Sequence, residues 1–542
     1  MLSENAKKII ENIVIKYRYN FKQEQDAKKI FSVVMGSEAK EEIIKDIKEA
    51  QKNIEIIVKE INSWIEDKIE KEFVERNLEE KKEKIKKTLV FPKMSNIIEG
   101  KVVTTYPPEP SKYPHIGHAY ACTINYRFAK LHSGKFYIRF EDTNPSLAKK
   151  EYYPVQLDGY KWLGIKEDGI IYASDYMDLL YKKAEELVKL SKAYVCTCNS
   201  EKVRDLRQKK ESCECSKLSK DNNLINWKKL LDKEFKEGEA CLRLVGDMKS
   251  PQGEMRDPIL LRISYIEHAR VGSKYHLWPT YLFQNTILDC ELGVTHRFRS
   301  KEFEVWHPVQ KYLANILHYN YPEIFEFARV NLVNGIASGR KLRESVEKGN
   351  MSWDDPSLTT LAALKRRGFL PEAIFEFIDK MGISKTESTI EWSVLDSMNR
   401  KILAQKDIKK SASFANPIKA KIIDNNNVLE KLLNEIYIEN NTEKNKEFRL
   451  RHLGNLIFDG KVLNAVGNEQ KKGLSMLPFS KEIQEIKVIM PFAQEDPERE
   501  KVLFINSDIF KTLKTDEIVY LEGFAYCRLD NKDKKIFIFG HE

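Results

Sequence analysis

The chain has 542 residues, too many for a single hydrophobic core, and about three to five domains are expected. Hydrophobic residues at 42% and charged residues at 32% describe a folded globular protein and exclude a disordered or collagen-like one. Lys+Arg exceed Asp+Glu by 91 to 82, and the formal net charge of +9 suits a polyanionic partner without requiring one.

The opening residues, MLSENAKKIIENIV, lack the charged-then-apolar pattern of a signal peptide. No run reaches the ~18 uncharged apolar residues of a membrane helix, so no membrane partner is expected. Eight cysteines over this length do not suggest a disulfide scaffold, and a cytoplasmic location is expected.

Residues 1–90 read as helical. Ile43, Ile47, Ala50, Ile54, Ile57, Ile61 and Ile65 recur at three- and four-residue steps, which puts them on one helix face. The stretch EDKIEKEFVERNLEEKKEKIKK (66–87) mixes both charge signs densely and reads as a long solvated helix.

The composition changes at Gly100. KVVTTY (101–106) is β-branched and reads as a strand, followed by the loop PPEPSKYP. HIGHAYACTINYRFAKLHSG reads as a helix closed by Gly134, and KFYIRFED (135–142) as a second strand. Strand, loop, helix and strand in that order open a parallel α/β sheet, whose ligands sit beyond the carboxyl ends of the strands. Helical patterns occupy 150–190, and 195–290 reads as an insertion with its own strands, ACLRLV and ILLRIS. HRFRSKEFE (296–304) and FARVNLV (327–333) return to the sheet. A helical, basic stretch with KRRG (365–368) runs from Ser352 to about Lys410. Beyond Phe414 the short runs IKAKII, EIKVIMPF, KVLFIN, EIVYLEGFAYCRL and KIFIFG suggest antiparallel barrels.

Two clusters carry chemistry. His115 and His118 stand at a predicted helix start, where unpaired N–H groups attract phosphate, and Gly117 lets a ligand approach the backbone. From these residues alone a structural role is the better reading, and zinc is disfavoured because no third ligand lies near in sequence. Cys196-Thr-Cys198 and Cys213-Glu-Cys215, 14 residues apart, read as a structural zinc site of the four-thiolate type; the alternative is four free thiols.

The stretch PPEPSKYPHIGHA with RFEDTNP resembles class I aminoacyl-tRNA synthetases, more narrowly the glutamyl/glutaminyl group in its archaeal and eukaryotic form. AYVCTC, MRDPILLRIS, WPTYLF, LGVTHRFRSKEFE, WDDPSLTTLAALKRRG and TIEWSVLDSMNRKI follow in the order this group has them, so the resemblance spans about 95–410. It implies a multidomain protein. Its parts are a helical N-terminal domain (1–95), a Rossmann-type parallel-sheet catalytic domain in two halves (96–195 and 291–345), an inserted acceptor-binding domain (196–290), a helical stem-contact domain (346–412) and all-β anticodon-binding barrels (413–542).

The resemblance also implies that His115 and His118 bind ATP phosphates and stabilise the activation transition state, with Gly117, Arg340 and Lys341 at the ATP. Ser338 and Lys341 belong to the matching phosphate loop IASGRKLRE (336–344). Glu141 matches the acid that holds the substrate α-amino group, and Glu109 a loop acid near the acceptor end. Tyr281 matches a tyrosine of the side-chain pocket. Arg299 occupies a position that is arginine in the glutamate enzymes and uncharged in the glutamine enzymes; a guanidinium grips a γ-carboxylate with two hydrogen bonds. Lys365, Arg366 and Arg367 are expected to track tRNA phosphates. ATP is the implied co-substrate with Mg²⁺, tRNA and glutamate are the implied partners, and a protein partner for residues 1–90 is left open.

Two positions depart from the group's pattern. Thr105 stands where these enzymes carry an arginine that contacts the amino acid, so that recognition is missing or supplied elsewhere. Gly339 replaces the lysine expected to meet the phosphates. The expected activity is a glutamate–tRNA ligase; its rivals are the glutamine enzyme, a non-catalytic tRNA-binding paralogue, and a small-molecule nucleotidyltransferase sharing the histidine site.

Overall fold

The computed structural model describes residues 2–21, 24–35, 39–76, 89–328, 330–333, 344, 346–349, 351–431, 433–491 and 499–542. Two compact units divide the chain, Met1–Thr88 and Leu89–Glu542.

The first unit is all helix: α1 (Glu4–Phe21), α2 (Ala27–Val34), α3 (Lys40–Lys45), α4 (Ile47–Asn62) and α5 (Glu66–Glu75). Ile10, Val14, Ile30, Ile43, Ile54 and Ile61 make its core, with Tyr19 stacked on Phe73 at 3.9 Å. The isoleucine stripe is interrupted where Asp46 accepts the Glu49 N–H at 3.1 Å and so starts a new helix. Ile43 therefore lies on α3, while Ile47 at the start of α4 and Ile65 in the link to α5 are exposed. Of the charged stretch 66–87, α5 covers the first part, and residues 77–87 lie outside the described ones.

The second unit is built on a parallel sheet. The strands β1 (Val103–Tyr106), β2 (Lys135–Phe140) and β3 (Gly169–Tyr172) pair in that order, all parallel, with Val103 opposite Lys135 and Tyr137 opposite Gly169. Between β1 and β2 runs α6 (Ile116–Leu131), whose Ile124 and Phe128 pack on Phe136 and Ile138. The left-handed residue that turns the chain after α6 is Ser133, at φ 51°. Gly134 is needed for another reason: a Cβ there would stand 2.1 Å from the Val102 carbonyl oxygen. Helices α7 (Tyr152–Trp162) and α8 (Met177–Lys189) flank β3.

The insertion is an antiparallel sheet of β4 (Ala193–Cys196), β5 (Cys241–Leu244), β6 (Ile259–Ile263) and β7 (Leu277–Pro279), with α9 (Ser200–Lys209) and α10 (Lys220–Leu231) between β4 and β5. The chain then re-enters the parallel layer through α11 (Tyr281–Glu291), β8 (His296–Ser300), α12 (His307–Ile316) and β9 (Glu323–Phe327), β8 and β9 being parallel. Thr295 donates its N–H to the Val103 carbonyl at 2.9 Å and accepts the Val103 N–H on Oγ1 at 2.9 Å, which sets β8 along the free side of β1.

Helices Leu361–Arg366, Pro371–Met381 and Trp392–Ala404 follow. The β-rich tail comprises one closed six-stranded barrel, from Lys409–Phe414 and four strands between Ile483 and Asn531 to Ile536–His541, and one six-stranded sheet from residues 417–477. The barrel is not wholly antiparallel: 409–412 runs parallel to 519–522.

Candidate active site

His115, His118 and Glu141 follow the carboxyl ends of β1 and β2, the expected side for a ligand of a parallel sheet. The loop after β1 delivers His115 to the N-cap of α6. The His115 Nδ1 accepts the Gly117 N–H at 3.0 Å, and the His118 Nδ1 accepts the His115 N–H at 3.1 Å. This reciprocal cap satisfies two backbone donors that a helix start leaves open. It also sets each ring's tautomer: with Nδ1 accepting, Nε2 carries the proton in the neutral ring. Desolvation, helped by His115 and Lys112, holds the His118 pKa well below the usual histidine value, so His118 is a neutral Nε2–H donor at pH 7. Gly117 is required by the His115 ring, since a Cβ at 117 would lie 2.9 Å from its Cε1.

A later segment braces this loop. Ile116 N–H donates to the Thr359 carbonyl at 3.2 Å and Leu361 N–H to the Pro114 carbonyl at 2.8 Å. Tyr113 stacks on Trp353 with centroids 5.3 Å apart. The histidine loop is thus clamped from both sides by residues 353–361.

Behind it lies a buried charge network. Arg139 and Glu141 leave β2 two residues apart and on one face. The Arg139 Nε and Nη2 donate to Glu141 Oε1 at 2.9 and 2.8 Å, and its Nη1 to Asp289 Oδ1 of α11 at 2.7 Å. Arg297 of β8 bonds the other oxygen of Asp289 and also Asn285 Oδ1. Burial raises the Glu141 pKa despite Arg139 and Arg297. Burial pushes the Asp289 pKa up too, but Arg297 and Arg139 outweigh it and hold it low. Tyr281 opens α11 with its hydroxyl 3.4 Å from Arg297 Nη2. Burial raises the Tyr281 pKa, against the pull of Arg297 and Arg299. Arg299, 4% exposed, donates to Gln310 Oε1 at 2.7 Å and to Glu326 Oε1 at 3.1 Å.

The expected residues are therefore not all in one place. His115, Gly117 and His118 form the helix-start group; Glu141 and Tyr281 face the same network, with Arg299 near Tyr281. Glu109 lies in the loop between, its carboxylate accepting the Ser111 hydroxyl at 2.7 Å. Ser338, Gly339, Arg340 and Lys341 lie outside the described residues. Arg139, Asp289 and Arg297 were not singled out from sequence. The signal was there in part: Arg297 and Arg299 alternate on one strand, as do Arg139 and Glu141. Of the KRRG cations only Lys365 is exposed. Arg366 pairs with Asp530 at 2.8 Å, and Arg367 is buried against Phe369 and Trp392 with its guanidinium on the Gly540 carbonyl, so it does not reach a phosphate.

In the insertion the four sulphurs of Cys196, Cys198, Cys213 and Cys215 all lie within 4.8 Å of one another, Cys196–Cys213 at 4.0 Å and Cys198–Cys215 at 3.7 Å. Zn–S bonds of about 2.3 Å in a tetrahedron put sulphurs about 3.8 Å apart. The four thiols therefore fit a zinc ion. Cys241 lies opposite Cys196 across β4 and β5, a neighbour the linear spacing did not reveal.

A neutral His118 imidazole at a helix start and a buried network of guanidiniums and carboxylates thus stand on elements of the parallel layer. Residues 101–405 match the catalytic domain of class I tRNA synthetases (E and Q), and the chain belongs to that family. It is similar along nearly its whole length to glutamate–tRNA ligases. That of Nitrosopumilus maritimus is 34% identical over 99% of this chain and 100% of its own. That of Pyrococcus furiosus is 33% identical over 98% and 100%, and that of Sulfurisphaera tokodaii 36% over 92% and 92%.

Proposed function

We propose that the chain is a glutamate–tRNA ligase. The glutamate α-carboxylate attacks the α-phosphorus of ATP, pyrophosphate leaves, and the glutamyl group passes from AMP to the terminal ribose of tRNA. The carrying observation is the 34% identity to a glutamate–tRNA ligase over 99% of the chain.

The chemistry asks for positioning and charge stabilisation more than for a nucleophilic side chain. The Nε2–H groups of His115 and His118 hold the triphosphate and meet the charge that grows on it, and Mg²⁺ accompanies the ATP. Ser338, Arg340 and Lys341 form the facing phosphate loop. Glu141 takes the substrate ammonium on Oε2, Tyr281 lines the side-chain pocket, Arg299 receives the γ-carboxylate, and Glu109 meets the acceptor end. Zinc at Cys196, Cys198, Cys213 and Cys215 holds α9 and the adjoining loop to β4. Residues 196–290 grip the acceptor end, 346–412 the stem and 413–542 the anticodon. The helices of 1–95 serve a protein partner, and the enzyme works in the cytoplasm. Glutamine-specific tRNA is the second candidate acceptor.

Pyrophosphate exchange with glutamate or glutamine, each with and without tRNA, tests this reading. Exchange with glutamate in the presence of tRNA is expected. Exchange with glutamine alone would sink it, and no exchange while tRNA still binds would identify a paralogue that only binds. Metal analysis is expected to return about one zinc per chain, lost when Cys213 and Cys215 are both replaced by Ser.

A further inference from the structure

The pocket contains one more cation than the motifs ask for. Arg297 and Arg299 leave β8 on one face, so the strand points two guanidiniums at the same neighbourhood. Arg297 is 1% exposed, deeper than a solvating surface arginine, and stands beside the Tyr281 hydroxyl. On the next strand, the position where the resembled enzymes carry an arginine holds Thr105, fully buried. Thr295 pairs with Val103, and Asn125 accepts Thr104 Oγ1 on its carbonyl oxygen while its side chain binds Phe298 on both N–H and carbonyl. The strands thus climb together, and Arg297 follows Thr295 by two residues as Thr105 follows Val103.

Three buried polar atoms of this corner have no hydrogen-bond partner among the described residues: Thr105 Oγ1, Arg297 Nε and Glu141 Oε2. Each such atom is costly if left without a partner. A zwitterionic ligand with a second carboxylate would satisfy an acceptor-lacking guanidinium and a donor-lacking carboxylate together. Among the described residues the network is already balanced, Arg139, Arg297 and Arg299 against Glu141, Asp289 and Glu326. It therefore needs no further fixed charge, and Asp289 and Asn285 hold Arg297 in place without using every donor.

We infer that Arg297 is an amino-acid-binding residue: from β8 its guanidinium joins that of Arg299 on the side-chain carboxylate of the substrate beside Tyr281, doing the work of an arginine at position 105. In this reading the cation has moved one strand sideways, from β1 to β8. This rests on the glutamate reading of the site.

The test is pyrophosphate exchange by the full chain with a glutamate-accepting tRNA, measuring KM for glutamate and for ATP separately, with thermal unfolding of every variant. Arg297→Val is expected to raise the glutamate KM roughly 10- to 100-fold while the ATP KM stays within about threefold. Arg297→Val with Thr105→Arg, which returns the cation to β1, is expected to restore the glutamate KM to within about fivefold. A glutamate KM unchanged in Arg297→Val overturns the inference. So does a double variant that recovers the unfolding temperature but not glutamate binding, since Arg297 would then only hold the fold together. If Arg297→Val does not fold, the double variant decides, and its failure to fold counts against the inference as well. A parent chain that exchanges no glutamate at all rejects the function, not the role of Arg297.

Discussion

The two ends of the site are built on opposite principles. The helix start of α6 offers backbone donors, a neutral His118 and the positive end of a helix dipole. The pocket between β2, β8 and α11 is filled with ions, guanidiniums and carboxylates nearly all buried and paired with one another. A phosphate arrives with charge to spare and can be met by aligned dipoles. An amino acid has to be told from its uncharged analogue, and only fixed charges in a dry pocket can do that. Under the proposed function the charged end bears on both stability and specificity, and the neutral end on rate.

The difference is open to attack from either side. The largest effect is expected at the charged end. Asp289→Asn leaves Arg139 and Arg297 without their shared anion, and a loss of about 3–5 kcal/mol is expected in chemical unfolding of the catalytic transition. A loss below ~1 kcal/mol would mean that the network is not a stability element. At the neutral end, His118→Ala is expected to lower kcat by about 10²–10³ with glutamate KM nearly unchanged and only about 1 kcal/mol of stability lost with the cap. Nitrogen NMR of the parent should find the His118 ring neutral and protonated on Nε2 down to pH values well below 6.5, because its lowered pKa delays protonation. A smaller loss, about tenfold in kcat, is expected for Gly117→Ala, which presses on the His115 ring without removing it. If Gly117→Ala raised the glutamate KM instead, the two ends would not be separable.

How much of this could be read in advance follows the same division. The helix start was legible because its signal is local: H-x-G-H with a proline before it, on a short stretch that also carries the resemblance. Strands at 101–106 and 135–142 and the helix between them were legible from periodicity and β-branching. The ion network was not, because Asp289 and Arg139 lie 150 positions apart in the chain, and pairing at that range leaves no local pattern. Arg367 misled for a related reason. Its KRRG run looks like a solvated basic patch, yet aromatic rings and the Gly540 carbonyl from the barrel bury it. The break in the isoleucine stripe at Asp46 was written in the sequence, since aspartate is a good helix cap, but the seven-residue run of matching spacings outweighed it.

The two hydrogen bonds that tie Pro114 and Ile116 to Thr359 and Leu361 act like a rivet through the molecule. Residues some 240 positions apart share one backbone joint, and the imidazoles sit on it. A tug on the Trp353–Leu361 segment, from whatever binds its outer side, becomes a displacement of the imidazoles with little slack to absorb it. The amides of Ile116 and Leu361 should accordingly lose deuterium protection together, as one breathing motion and not two.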